Sequence, residues 1–420
     1  MRVAMLSIHS SPLATLGGKE AGGMNVYVRE LARELGRRGI QVDVFTRRQQ
    51  SAETKIIDLE HGVRVIHLQA GPTVPYDKNW LLSYLPEFVN RVRCFADGDD
   101  LIYDIIHSHY WISGEAALML QRAWRVPIVQ MFHTLGALKN KVARGAEEQE
   151  TVQRVLIERR LMGEVDALVA ATPLDKTQMV QDYGADPERI YVVPAGVDLR
   201  RFQPRDMARA REVLDLPPSP HRLIMLAGRI EPLKGIDALI EAIALLLERH
   251  AEWRGALTAV IVGGAPDQEP EKWNTEQKRL DALRHSLGIS ASVRFVGAQP
   301  QDKLARYFNA ADIVTMPSHY ESFGMAALEG LASGRPVVAT NAGGPAYIVE
   351  QGVSGLLVQP GNAQLLAEQL EQLLRNDELR ESMGLAARTR ALHYGWSAVA
   401  CDILKVYGKL VYTPQLAEVC

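Results

Sequence analysis

Ser318-His319-Tyr320-Glu321-Ser322-Phe323-Gly324-Met325-Ala326-Ala327-Leu328-Glu329 sets two glutamates eight residues apart around a Ser-Phe-Gly turn. An apolar run at 313–316 leads in as a strand, and a helix leads out from about Met325. A turn that ends a strand and opens a helix is where α/β proteins hold anions. Unpaired backbone N–H groups and the positive end of the helix dipole converge there. Carboxylates repel phosphate but bond well to vicinal hydroxyls. Glutamates flanking such a turn therefore suit a ligand with both parts, such as a sugar nucleotide.

Working outward, short apolar runs alternate with amphipathic helices. The pattern predicts strands at 3–7, 42–46, 63–67, 105–108, 128–132, 168–171 and 190–193, then at 223–227, 259–262, 293–296, 313–316, 337–339 and 356–358. Several are apolar on both faces, as in a parallel sheet covered by helices. Strand-helix alternation implies right-handed crossovers and an open doubly wound sheet. Thirteen strands are too many for one such sheet, so two domains are expected. The boundary falls near Pro194-Ala195-Gly196-Val197-Asp198, ahead of a stretch with Pro204, Pro217, Pro218 and Pro220. This gives domains at 1–195 and 196–393, and a helix within 394–420 that can pack back on the first domain, with Ser397 as its cap.

The bulk properties bound the function. A chain of 420 residues, 47% hydrophobic and 23% charged, is that of a globular protein with room for two cores. A net charge of -3 disfavours a general nucleic-acid or membrane-surface binder. Cys94, Cys401 and Cys420 are scattered, without disulfide or zinc spacing, which fits a reducing cytoplasm. Residues 1–7 read as a first strand rather than a signal peptide, and no apolar run approaches a membrane span of about 20 residues. Homo-oligomer formation stays open.

Three further constellations can carry chemistry. Gly17-Gly18-Lys19-Glu20-Ala21-Gly22-Gly23-Met24-Asn25 follows the first strand; it is either a backbone cradle for phosphate or sugar or a flexible turn. Gly228-Arg229-Ile230-Glu231-Pro232-Leu233-Lys234-Gly235 opens the second domain, and Arg229 and Lys234 either grip a diphosphate or sit in a solvated loop. His107-Ser108-His109-Tyr110 and Phe132-His133-Thr134-Leu135 end consecutive strands, where side chains face the ligand crevice of such sheets. Each histidine alone can equally be structural. Lys78, Lys139, Arg154 and Arg159 add cations to the same half, suited together to a phosphorylated small molecule and singly to a solvated surface. Asp97-Gly98-Asp99-Asp100 reads as a solvated turn.

The glutamate spacing limits the mechanism. Eight helical residues span about 12 Å. Glycosidase carboxyl pairs stand about 5–5.5 Å or 6.5–9.5 Å apart. Glu321 and Glu329 thus read as hydroxyl-binding groups, one for a sugar and one for a ribose, while Arg229, Lys234 and the helix N-terminus stabilise a departing diphosphate. No G-x-G-x-x-G turn with a following acid supports a nicotinamide oxidoreductase.

On the early Gly-Gly loop, the Gly-Arg-x-x-x-x-Lys-Gly segment and the two glutamates, nearly the whole chain resembles glycosyltransferase family 4, the retaining, metal-independent group with the GT-B fold. The resemblance implies two Rossmann-like doubly wound parallel-sheet domains facing a central cleft, with closure excluding water. It implies a UDP-sugar as substrate and no cofactor. Arg229 and Lys234 would hold the diphosphate, Glu321 the transferred sugar and Glu329 the ribose. Phe323, Gly324 and Met325 would meet sugar and phosphate through their backbones, Gly22 and Gly23 would lie near the diphosphate, and His133 near the reacting carbon. Two subfamilies compete. The stretch 21–28, with Asn25, Lys78, Tyr110, Thr134 and Arg154 as acceptor pocket, is similar to the mycothiol-pathway enzymes that move N-acetylglucosamine onto inositol phosphate. Gly343-Gly344-Pro345, His133-Thr134-Leu135-Gly136 and Glu158-Arg159 are closer to sucrose-phosphate synthases, although those usually carry Gln where Asn25 stands. The expectation favours sucrose 6-phosphate synthesis from UDP-glucose and fructose 6-phosphate. The alternatives are transfer from UDP-N-acetylglucosamine to inositol phosphate, or a non-catalytic sugar-nucleotide sensor.

Overall fold

The computed structural model describes residues 1–14, 22–50, 53–74 and 78–411. It divides into two compact units. The first comprises Met1–Ala14, Gly23–Ala195 and the C-terminal helix from Trp396; the second is Gly196–Gly395, joined by Gly22.

The first unit carries eight strands: β1 (Arg2–Leu6), β2 (Gln41–Arg47), β3 (Ile56–Glu60), β4 (Val63–Leu68), β5 (Ile105–His109), β6 (Ile128–Met131), β7 (Ala167–Ala170) and β8 (Ile190–Val192). They lie in the order β3-β4-β2-β1-β5-β6-β7-β8. Every pair is parallel except β3 with β4. β3 was not expected. Its sequence Ile-Ile-Asp-Leu-Glu is an incompletely buried edge strand, so it lacks the continuous apolar run that marks its neighbours. Helix Gly23–Arg37 buries Val28, Leu31, Ala32 and Leu35, the face its three-and-four spacing dictates.

Helix Trp396–Leu410 completes this unit. Trp396 packs edge-on against Tyr27 at 5.4 Å, and the Tyr407 hydroxyl lies 2.7 Å from His107 Nδ1. Ser397 is not its cap: the helix already begins at Trp396, and the Ser397 hydroxyl instead accepts from the Arg38 guanidinium at 2.7 Å.

The second unit carries β9 (Arg222–Ala227), β10 (Leu257–Val262), β11 (Val293–Phe295), β12 (Ile313–Met316), β13 (Val337–Thr340) and β14 (Gly355–Val358). The order is β11-β10-β9-β12-β13-β14, all parallel. Its core joins Ile224 and Leu226 of β9 to Leu239, Ile243 and Leu246 of helix Ile236–Arg249 and to Leu366, Leu370 and Leu373 of helix Ala363–Arg375. Burial of each such side chain contributes roughly 1.5–3 kcal/mol.

In each sheet the chain runs outward on one side of its first strand, then returns to continue on the other. The reversal falls between β1 and β5 in the first unit and between β9 and β12 in the second. Crevices at such reversals, outside the carboxyl ends of the strands, are where open α/β sheets bind ligands.

Candidate active site

In the second unit, the turns after β9 and β12 meet at the reversal. The turn after β9 carries Arg229 and Lys234; the turn after β12 carries Glu321. The Lys234 ammonium and the Glu321 carboxylate form a close ion pair, and Arg229 Nη1 stands 2.8 Å from Glu231 Oε1. Two glycines allow the close approach. Gly235 has φ +62, and a Cβ there would lie 2.1 Å from the Pro317 carbonyl oxygen. Gly343 has φ +69, and a Cβ there would lie 1.9 Å from the Glu321 carbonyl oxygen. The same oxygen accepts from Gly344 N at 2.8 Å, and His319 N donates to the Leu233 carbonyl at 2.9 Å. The Thr340 hydroxyl donates to the Ser318 carbonyl at 2.6 Å. The turn bearing Glu321 is thus pinned from three neighbouring segments.

Phe323 is buried, Gly324 is left-handed, and the helix Met325–Ala332 begins directly after them. Its first turn carries no side-chain cap, so its N–H groups are available for an anion. Glu329 is buried within that helix. Because the chain is helical only from Met325, just the last four of the eight steps between the glutamates are helical, and the expected 12 Å span does not describe the pair. Gly22 groups with this unit, and a Cβ on it would stand 3.7 Å from Arg229 Nε. Residues 15–21 of the Gly-rich loop lie outside the described residues; Gly23 opens the first helix of the other unit.

In the first unit the reversal is lined by the loop after β1 and by Tyr110 after β5. Asn25 is buried in the first helical turn and donates through Nδ2 to Ser10 Oγ at 2.6 Å and to the Ser11 carbonyl at 2.7 Å. It fastens the loop that carries His9, whose ring lies 4.3 Å from the Tyr110 ring.

Tyr110 collects the cations. Lys78 Nζ donates to its hydroxyl at 3.2 Å, and the Arg154 guanidinium lies 4.8 Å over its ring. Arg154 is placed by the helix Val152–Glu164, which starts there because the Thr151 hydroxyl accepts from Arg154 N. Its guanidinium donates to both the Thr134 carbonyl, at 2.8 Å, and the Thr134 hydroxyl, at 3.1 Å, and pairs with the fully buried Glu158 at 2.7 Å. Lys78, Lys139 and Arg154 all converge on Glu150 Oε1.

Burial alone would push the Glu150 carboxyl pKa up, but the pull of Arg154, Lys78 and Lys139 holds it down at about 2. Burial likewise opposes the charge on Lys78, yet Tyr110 and Glu150 raise its pKa overall. Glu150 was not anticipated. It sits in the acidic run Glu147-Glu148-Gln149-Glu150, which reads as a solvated loop, and its one signal is its position four residues before Arg154. Arg159 does not belong with these cations. Five residues beyond Arg154 it is turned well round the helix, and it is exposed, donating to the Asp182 carbonyl at 3.3 Å.

Behind this pocket lies a row of histidines, His107 and His109 buried and His133 half-buried. His133, at φ +62, places Nε2 3.0 Å from His109 Nδ1, and the His107 and His109 rings lie 4.3 Å apart. Tyr27 meets both His109 and His133 edge-on. Burial holds the pKa of His107 and His133 down at about 3, and that of His109 well below its usual range. All three are neutral at neutral pH, so His133 can form hydrogen bonds without bringing charge.

Residues 21–201 match the model described as Glycosyltransferase Family 4, and residues 209–390 that described as Glycosyl transferases group 1. A D-inositol 3-phosphate glycosyltransferase of Corynebacterium diphtheriae is 38% identical over 97% of this chain and 94% of its own. One of Actinosynnema mirum is 40% identical over 97% of each. Among solved structures, sucrose-phosphate synthase from Thermosynechococcus elongatus superposes with a TM-score of 0.88 at 29% identity, covering 97% of this chain and 98% of that one. No helix among the described residues is long and apolar enough to cross a membrane. With two parallel-sheet units and full-length relatives of this kind, the chain belongs to glycosyltransferase family 4 and is a GT-B glycosyltransferase that uses a nucleotide sugar.

Proposed function

We propose that the enzyme moves N-acetylglucosamine, with retention, from UDP-N-acetylglucosamine to a hydroxyl of an inositol phosphate. The observation that carries this reading is the convergence of Lys78, Lys139 and Arg154 on one anionic oxygen at the reversal of the first sheet, beside the Tyr110 hydroxyl that accepts from Lys78. Such a site takes the phosphate of the acceptor as it takes the Glu150 carboxylate. Relatives named D-inositol 3-phosphate glycosyltransferase, matched across nearly their whole length, favour inositol phosphate over the fructose 6-phosphate expected from the sequence.

In the second unit the diphosphate takes Lys234 and Arg229 away from their internal carboxylates, and the N-terminus of helix Met325–Ala332 adds amide dipoles. Glu321, released from Lys234, accepts from sugar hydroxyls, and Glu329 from the ribose. Charge developing on the leaving diphosphate is met by fixed cations and dipoles. The leaving oxygen takes the acceptor's proton, so the protein supplies no nucleophile. His133 contributes neutral hydrogen bonds near the reacting carbon. The cytoplasm, which supplies UDP-sugars, is the proposed location.

The test is UDP release with UDP-N-acetylglucosamine and inositol 3-phosphate against UDP-glucose and fructose 6-phosphate, with products identified by mass. An advantage of about 100-fold or more in kcat/KM for the inositol pair is expected. The second reading, sucrose 6-phosphate synthesis, draws on the likeness to the sucrose-phosphate synthase structure. A preference for the fructose pair would install it, and turnover of neither pair would end both.

A further inference from the structure

Glu150 is an acidic side chain inside the site assigned to an acidic ligand. Its Oε1 lies 3.1 Å from Lys78 Nζ and 2.8 Å from Arg154 Nη1, with the Lys139 ammonium in closer contact still. These cations come from three separate segments: the turn Lys78–Tyr84, the helix Gly136–Val142 and the helix Val152–Glu164. One oxygen approached by three converging cations, two of them hydrogen-bonded to it, is the arrangement a phosphate oxygen seeks.

Arg154 does not need Glu150 as a counter-ion, because Glu158 pairs with it in full burial. With both glutamates in place, Lys78, Lys139 and Arg154 leave the cluster one positive charge in excess. A phosphate dianion added on top would leave it negative in a place where charge is poorly solvated. With Glu150 swung away, the same dianion brings the cluster to neutrality. The backbone allows that motion. Glu150 N donates to Asn140 Oδ1 at 2.7 Å, and Asn140 Nδ2 donates to the Glu150 carbonyl at 3.2 Å. The main chain is tethered, and the side chain reaches the cations from an irregular stretch between two helices, where rotation about its own bonds withdraws it.

We propose that Glu150 is a built-in competitor for the acceptor's phosphate: it holds the three cations together in the empty enzyme and leaves them when the phosphate enters. This rests on the reading of the cluster as the acceptor-phosphate site. Glu150 thereby weakens phosphate binding and hastens product departure, while keeping the lysines from scattering.

Inorganic phosphate, titrated into the full-length enzyme by calorimetry, separates the two ideas. Arg154→Lys and Lys78→Ala test the site: both should weaken phosphate binding about tenfold or more, and unchanged binding would remove the site and the inference together. Glu150→Gln tests the competitor: phosphate should bind about tenfold more tightly, and the KM for the phosphorylated acceptor should fall in parallel. If the site variants lose phosphate while Glu150→Gln binds it equally or more weakly, the site stands and Glu150 is only a brace for the lysines. Glu150→Asp, which keeps the charge and the tether to Asn140 but cannot reach the cations as well, should also tighten binding several-fold. It decides the matter if the Gln protein does not fold; weaker or unchanged binding there overturns the proposal.

Discussion

The two sheets solve the same problem with opposite materials. Each must turn its chain sharply at the reversal and hold cations there. The second unit uses glycines at positive φ, Gly235 and Gly343, so that one backbone lies directly against another. The first unit uses residues with side chains at positive φ, Tyr110 and His133, and the proposed function gives those side chains the binding. Left-handed backbone costs a non-glycine residue of order 1 kcal/mol or more, and it persists only where packing fixes it. Here the Tyr110 backbone N–H donates to the Met131 carbonyl, and His133 is wedged between Tyr27 and His109. In the proposed function the diphosphate meets Lys234, Arg229 and a helix N-terminus, and the small residues let the turns that carry them close together. The proposed acceptor, with one phosphate and a ring of hydroxyls, calls for shaped side chains.

The largest expected effect tests the cation side of the comparison. Lys234→Ala should lower kcat by roughly 10²–10³-fold, through loss of charge stabilisation on the leaving diphosphate. Steady-state UDP release measures it, and full activity would remove Lys234 from the donor site.

Gly343→Ala sharpens the contrast between the units. The added Cβ meets the Glu321 carbonyl oxygen at 1.9 Å, which should cost roughly 2–4 kcal/mol of stability and raise the donor KM. Phosphate binding by the first unit should stay as it was. Equal damage to both sites would mean that the glycine turn is not a local device.

The histidine row gives the first unit a pH signature. His107 and His133 are held near 3 when folded, against about 6.5 when unfolded. The unfolded chain therefore binds more protons between those values, and stability is lost as pH falls from about 6.5 toward 3. The slope approaches about 1.4 kcal/mol per pH unit for each histidine. Chemical denaturation at pH 7, 6 and 5 should show the decline, and His107→Gln should flatten it. A decline unchanged in that variant would place its origin elsewhere.

Arg159→Ala should do least. Its exposed side chain donates to the Asp182 carbonyl, away from the cation cluster, so the acceptor KM should move by less than about twofold. A large rise would return Arg159 to the pocket.

The layered fold and the donor turn were legible because their signals are local. Strands buried on both faces are continuous apolar runs, and each turn of the second unit keeps its polar groups close in sequence, Arg229 with Lys234 and Glu321 with Glu329. What stayed hidden depends on which strands lie side by side. His109 meets His133 only because β5 and β6 are neighbours. Tyr407 reaches His107 from 300 residues away. Glu150 is written as one charge in an acidic run, and only the folding of three segments around it turns it into an ion held by three cations. β3 escaped notice for the opposite reason: an exposed edge strand has no apolar run to betray it. The distinction between inositol phosphate and fructose 6-phosphate was not legible either, because the same lysines and arginine suit both.

The tyrosine that closes the histidine row belongs to the last described helix, Trp396–Leu410, which lies beyond the entire second unit in the chain. During synthesis the ribosome finishes the second unit while the first still lacks a wall. The earlier part must wait, incompletely sealed, until the final helix emerges. A chain cut short after Gly395 would keep Arg229, Lys234, Glu321 and Glu329, yet lose the wall behind the histidine row.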